Sequence, residues 1–355
     1  MFTGRKRIKY GLRSMLDRLA VATGLLQWHE RHMRQGLTIL MYHRILPWAQ
    51  CRDYPLPSLV IPPEVFRRQV QWLVARCRVL PVREALAEIS GGGIFAKPVV
   101  AVTFDDGYND NHGLAAPILE EYGLRGTFFV TSGFVAEGRP QWYDRAAVAW
   151  QQADHQQRRL LLQALPAIGR VDEVDGRGIQ AWMAGLKRAA SAERMELVVR
   201  AECLAGKSSD LAGYQPMTPE LVRDLHVRGH EVASHTVSHP ILPQLSDKAL
   251  AAELRDSAAQ LKAWTGAAVT GFCYPNGDYD PRVERAVVQA GYHYACTVEE
   301  GMNRPSACPT RLTRLPITKQ RTMRGQEQDP LGFRAELCRL RGLWRENVLR
   351  CQEKR

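Results

Sequence analysis

The eight cysteines of this 355-residue sequence include no C-x-x-C pair, which argues against a cysteine zinc site. They are scattered, often in apolar runs such as Phe272–Tyr274. The expectation is reduced, partly buried thiols in a cytosolic protein. No run approaches the roughly 18 apolar residues needed to span a bilayer. The segment Met15–Leu26 is broken by Asp17, Arg18 and Thr23 and is followed by no clean small-residue cleavage site. No secretory leader is therefore expected, and a cytoplasmic location is. Gly91, Gly92 and Gly93 lack the Gly-Lys-Ser/Thr ending of a phosphate loop and read as a turn. There is no aromatic-interleaved basic stripe and no nucleic-acid motif, so nucleic acid is not an expected partner. Internal repeats and low-complexity tracts are absent too.

What is present is an ordinary globular composition, with 45% hydrophobic and 24% charged residues. The formal net charge of +11 leaves room for an acidic partner. Much of it crowds the ends: Arg5, Lys6, Arg7, Lys9, Arg13 and Arg18 at one, and Arg334, Arg339, Arg341, Arg345, Arg350, Lys354 and Arg355 at the other. Residues 1–36 have Leu12, Met15, Leu16, Leu19 and Ala20 at helical spacing between basic residues. This segment could lie on an anionic membrane surface, peripheral at the inner face of the plasma membrane, or pack on the domain with a solvated basic face. Residues 319–355 read as a C-terminal amphipathic helical segment. Its helix, Asp329–Lys354, carries Phe333, Leu337, Leu340, Trp344 and Val348 on one stripe.

Between these ends, strands and helices alternate. Leu37–Tyr42 and Pro98–Phe104 are apolar on consecutive positions, as strands buried on both faces are. Further strands are expected at Val79–Val82, Gly126–Thr131, Glu231–Ala233, Val269–Tyr274 and Tyr292–Thr297. Helices are expected at Pro62–Ala75, Arg83–Ile89, Leu114–Tyr122, Leu221–Arg228, Asp247–Thr265 and Arg282–Gln289. This rhythm argues for a parallel α/β barrel or open sheet. Residues 137–215 interrupt it, being rich in Gln, Ala, Leu and Arg at helical periods, and read as a helical insertion.

Two motifs carry chemistry. In Thr103-Phe104-Asp105-Asp106-Gly107-Tyr108, two carboxylates close a buried strand and meet a glycine. Strand C-termini are where sites form in parallel α/β folds, and a turn at Gly107 can bring both carboxylates to one mouth. An Asp-Gly turn with a capping carboxylate would leave the same trace. In Ser234-His235-Thr236-Val237-Ser238-His239-Pro240, two histidines four apart share a face if the segment makes a helical turn. They follow the strand Glu231–Ala233, at the same end of the sheet as Asp105. Two imidazoles and one carboxylate leave positions open on Zn²⁺ or a similar divalent ion, Co²⁺ and Ni²⁺ included.

Together, in this order, T-F-D-D-G-Y and H-T-x-x-H resemble the polysaccharide deacetylases, carbohydrate esterase family four (the NodB homology domain). The resemblance covers residues 37–318, with 137–215 as an insertion. It implies a distorted (β/α)7 barrel and metal-dependent removal of N-acetyl groups from amino sugars. Carried over, Asp105 is the catalytic base, and Asp106, His235 and His239 are the metal ligands. The family's R-x-P-Y-G motif reads Cys273-Tyr274-Pro275-Asn276-Gly277 here, so Cys273 stands where the arginine that supports the base is expected. The resemblance puts part of an oxyanion hole at the backbone N–H near Asn276. The late L-x-H histidine is missing at Leu315-Pro316-Ile317. A branch with a first-strand M-Y-H-R segment, as in exopolysaccharide-biosynthesis deacetylases, takes its general acid there, which points to His43 beside Arg44. Tyr108, Trp142, Tyr143, Asp144, Tyr274, Pro275 and Asn276 are then expected to contact substrate. The implied partner is an N-acetylated glycan. A lipid-linked sugar at the cytoplasmic membrane face, a xylan or chitin ester, and a non-catalytic sugar-binding relative are the competing readings.

Overall fold

The computed structural model of the chain describes residues 15–165, 178–206, 212–324 and 327–338. Its centre is a parallel sheet of eight strands: β1 (Leu37–Tyr42), β2 (Arg78–Val79), β3 (Val99–Phe104), β4 (Thr127–Val130), β5 (Glu231–Ser234), β6 (Gly271–Cys273), β7 (Tyr294–Cys296) and β8 (Leu315–Pro316). The order is β8-β1-β3-β4-β5-β6-β7, with β2 pairing the start of β3. The sheet curls until one segment meets both edges. Leu312 bridges Cys296 of β7, and three residues later Leu315 pairs with Leu40 of β1. The result is the distorted (β/α) barrel that the family resemblance implied.

Every residue of β1 and β3 is buried, which accounts for their unbroken apolar runs. Helices cover the outside: α1 (Leu25–Met33), α2 (Pro63–Arg76), α3 (Val82–Ile89), α4 (Ala116–Glu120), then the insertion, and after it α9 (Pro219–Val227), α10 (Asp247–Thr265) and α11 (Pro281–Gln289). Val65, Phe66, Val70 and Leu73 of α2 pack on Leu40, Val102 and Phe104 in the main core. The insertion supplies α5 (Trp142–Gln152), α6 (His155–Gln163), α7 (Gly178–Arg188) and α8 (Ser191–Ala205). Trp150, Leu161, Trp182, Leu186 and Val198 form its own core, which reaches the barrel at Tyr108 and Phe134.

Three expectations change. The helix expected to begin at Leu114 starts earlier, with a π-helical turn at Asn111–Ala115 that runs into α4. Residues 319–328 do not belong to a continuous helix. They form a short helical turn at Lys319–Thr322 and a pair of antiparallel strands, before α12 (Pro330–Leu337). Phe333 and Leu337 are buried there, while Leu340, Trp344 and Val348 lie outside the described residues, as do residues 1–14 with Leu12. Residues 15–22 are helical, but Met15 and Leu19 face solvent while Asp17 and Ala20 are buried. Among the described residues no helix is long and apolar enough to cross a membrane.

Candidate functional site

Strand register gathers the candidate residues. Tyr42 pairs with Phe104, so His43 and Asp105 leave the sheet side by side. Val130 pairs with Ser234, so His235 emerges two strands away at the same end. The chain then turns sharply: Asp106 (φ 81) and Gly107 (φ 95) both take left-handed backbone, which swings the Asp106 carboxylate back over the mouth.

His235 and His239 do not sit on a helical turn. The segment is a loop in which Thr236 (φ 70) and His239 (φ 52) are left-handed. Glu253 of α10 holds it by accepting from the Val237 and Ser238 N–H groups at 2.8 and 3.0 Å. From the other side, Gly133 N–H donates to the Val237 carbonyl at 2.8 Å. A side chain at Gly133 would meet that carbonyl at 2.6 Å, so only glycine admits the approach.

Asp106, His235 and His239 converge, all buried. The two Nε2 atoms lie 3.6 and 3.7 Å from Asp106 Oδ1. That is beyond hydrogen-bond reach and close to the ligand-to-ligand spacing of about 3.4 Å in a tetrahedral N/O site. His235 Nδ1 lies 2.8 Å from the Cys273 carbonyl, so it carries the proton and leaves Nε2 bare toward Asp106. Burial depresses the pKa of both imidazoles, which keeps them neutral. Burial, joined by the charges of Asp105 and Asp144, pushes Asp106 far above the carboxylate range. A buried carboxylate facing two neutral imidazoles, with no Lys or Arg in salt-bridge range among the described residues, fits a divalent metal.

Asp105, His235 and Cys273 also lie close enough to bind an ion. That set is already spoken for, because Arg314 donates to both Asp105 oxygens at 2.7 and 2.8 Å and approaches Cys273 Sγ at 3.0 Å. Arg314 is fully buried and also donates to the Thr297 carbonyl at 2.8 Å. Burial opposes charge on Asp105, but Arg314 outweighs it and brings the carboxyl down to about 2. The arginine absent from position 273 is thus supplied by the segment entering β8. Sequence reasoning missed it, although a charged residue inside Leu312–Ile317, flanked by Leu315, Pro316 and Ile317, was the available signal.

His43 Nε2 is 4.0 Å from Asp105 Oδ2. Burial brings its pKa down to about 4, so a resting imidazolium, the form a general acid would need, is disfavoured. Asn111, on the π-helical turn, donates from Nδ2 to the His43 carbonyl at 2.7 Å. Asp110 fixes the next residues, with Oδ1 accepting from Ile45 N–H at 2.7 Å and Oδ2 binding Arg44 at 2.8 Å. Arg44 is buried against the Tyr108 ring, so it orients a carboxylate and is out of reach of a substrate. Asp110 and Asn111 also went unread in the sequence.

A pocket of about 220 Å³ opens over these groups. Tyr143, Tyr274 and Asn276 line it as expected, with Met183 and Lys187 from the insertion. Asn276 (φ 56) keeps its N–H out of the backbone bonds of its turn, which Gly277 and Asp278 make, and its buried side-chain Nδ2 has no partner among the described residues. Four expected substrate contacts lie behind the wall instead. Tyr108 is fully buried and donates to Asp144 at 2.7 Å, with Tyr54 donating to the other oxygen at 3.2 Å. Burial raises Asp144 to about 7. Trp142 donates to the His239 carbonyl at 3.3 Å, supporting that loop rather than a sugar face. Pro275 is buried at the start of its turn. All four were expected at the surface because sequence cannot tell a wall from what stands behind it.

The model of a family described as polysaccharide deacetylase matches residues 92–162 and 179–295, more than half of the chain. YxkH of Bacillus subtilis, a candidate polysaccharide deacetylase, is 22% identical over 275 residues, covering 77% of this chain and 68% of that protein. The Streptococcus pyogenes deacetylase PplD, solved in complex with acetate, superposes with a TM-score of 0.55 at 20% identity, covering 81% of this chain and 94% of that one. IcaB from Ammonifex degensii gives 0.52 at 21% identity, covering 80% and 92%. At these identities the two structures speak for the fold.

Proposed function

Because the chain belongs to the polysaccharide deacetylase family, we propose that it hydrolyses the N-acetyl groups of amino sugars, with a divalent metal held by Asp106, His235 and His239. The observation that carries this is the convergence of those three groups beside a carboxylate that Arg314 keeps ionised. A divalent ion there, with Zn²⁺ first and Co²⁺ or Ni²⁺ as substitutes, supplies Lewis acidity toward the amide carbonyl and makes water more acidic. Asp105 takes the proton of the attacking water. The Asn276 N–H is free to donate to the developing oxyanion. His43, neutral at rest, receives the proton from Asp105 and delivers it to the leaving nitrogen. A C–O bond forms, the C–N bond breaks, and acetate and a free amine result.

The test is acetate release from N-acetylglucosamine oligomers, with chelator and then with Zn²⁺ restored. Chelator-sensitive release, recovered with metal and lost in Asp105→Asn, is expected. Metal-independent release, or full activity in Asp105→Asn, would overturn the assignment. No bound metal and no release would favour a non-catalytic sugar-binding relative.

The M-Y-H-R segment at residues 41–44 supports a place in exopolysaccharide or cell-envelope glycan biosynthesis. A second reading, a deacylase of a lipid-linked sugar at the cytoplasmic membrane face, draws on the N-terminal helices. Met15, Leu19 and Trp28 are more than half exposed, at 59, 55 and 52%, beside Arg18 and Arg31. Basic and apolar residues together suit an anionic bilayer surface. The domain division proposed is 1–36, 37–318 with the insertion 137–215, and 319–355.

A further inference from the structure

The helical insertion roofs the pocket, and one of its residues is a cation with no assigned task. On α7, Trp182 and Leu186 point into the insertion's own core. Met183 and Lys187, also four apart, line the pocket on the next stripe. The end of α7 is held in place: Gln244 Nε2 donates to the Lys187 carbonyl at 3.0 Å and to that of Arg188 at 3.4 Å. Position 187 is therefore anchored over the site by its backbone.

We infer that Lys187 is the anion contact of the substrate site, and that the amino sugar taken here carries a phosphate or carboxylate close to its N-acetyl group. This deepens the deacetylase reading and rests on it. Among the described residues, the Lys187 ammonium has no hydrogen bond and no ion pair, and Asp278 and Asp106 act on it only through space. It is not needed to balance Asp105, which Arg314 already neutralises. Leu56, Leu59, Met183 and Val298 make much of the remaining wall apolar, which weakens the solvent screening of a charge at the mouth.

Product chemistry decides between a neutral and an anionic substrate. Deacetylation creates an ammonium, so a lysine in the wall opposes a partly deacetylated neutral polymer, which would present more cations. An anion on the same or the adjoining sugar turns that lysine into an asset.

The experiment is calorimetric binding to the zinc-loaded full-length protein. The probes are N-acetylglucosamine 1-phosphate, N-acetylmuramic acid, the neutral methyl N-acetylglucosaminide, and the sugar phosphate esterified to a polyprenol in detergent. A charge-assisted contact predicts a preference of about tenfold or more for an anionic probe over the neutral one. That preference should shrink with added salt, be abolished in Lys187→Gln and be partly kept in Lys187→Arg. Tighter binding of the polyprenol ester than of the free phosphate would identify a lipid-linked source, and equal binding a free one. Equal affinity for neutral and anionic probes, a preference that survives in Lys187→Gln, or no binding of any probe overturns the inference. Acetate release by the unmutated protein is measured alongside. Its failure would count against the deacetylase reading without altering a binding preference for anions.

Discussion

At the residue scale, Arg314 and Asp105 form the pair on which the proposed chemistry depends. Asp105 is depressed to about 2 although burial alone would raise it. Its folded pKa therefore lies below the unfolded value. The pair's contribution to stability is fully present above the unfolded carboxyl pKa and is lost as pH falls through about 2. In Arg314→Met, burial acts unopposed and the base holds its proton to higher pH. The acid limb of the kcat/KM profile should shift upward, and Arg314→Lys should shift it less. An unshifted limb in Arg314→Met would show that Asp105 is not the titrating base. The same variant strands a buried charge, so a loss of about 3–5 kcal/mol in chemical denaturation is expected. For His43→Gln, a fall in kcat of about 10²–10⁴ is expected with metal content unchanged, because the proposed mechanism has His43 move a proton and hold no ion.

At the element scale, the His235–His239 loop depends on its neighbours. Glu253 holds it from α10, and Gly133 lets it approach the turn after β4. In Gly133→Ala, the new methyl group would displace the Val237 carbonyl and carry His239 with it. Titration with Zn²⁺ should show affinity weakened by about 10–100-fold, the range seen when the partners that orient ligands are lost. Unchanged affinity would mean that the loop holds its shape without that contact. The π-helical turn has a similar part on the other side of the site, through Asn111 and the His43 carbonyl.

At the scale of the whole molecule, the proposed metal site couples ion binding to stability through Asp106. A buried carboxylate that only a cation can keep charged makes the bare protein pay a desolvation cost that the ion offsets. With free Zn²⁺ at about a hundred times its Kd, stabilisation should reach about 2.7 kcal/mol. That is a rise in Tm of about 4 °C for a chain of this size. Chelator should reverse it, and Asp106→Asn should show little of it. A Tm indifferent to metal in the unmutated protein would argue that the triad holds no ion. The exposed Met15, Leu19 and Trp28 invite a separate check, the sedimentation of the protein with anionic vesicles. Binding that salt weakens and that Trp28→Ser reduces is expected for a surface helix, and no binding would count against the membrane reading.

What the sequence determined by itself was local or adjacent. Apolar runs marked β1 and β3 because buried parallel strands need apolar side chains on both faces. Asp105 and Asp106 were legible because they close one such run at a glycine. His235 and His239 were legible because they follow another strand at a ligand-like spacing. Tertiary structure decided whatever depended on residues far apart in the chain. Arg314 reaches Asp105 across 209 positions, because barrel closure sets β8 beside β1 and the segment entering β8 beside β7. Met183 and Lys187 come to the pocket only because the insertion folds back over it. Tyr108, Trp142 and Asp144 went behind the wall because their polar groups found partners inside. A one-dimensional pattern carries periodicity and turn chemistry, whereas charge pairing across a barrel is settled by which strands close it.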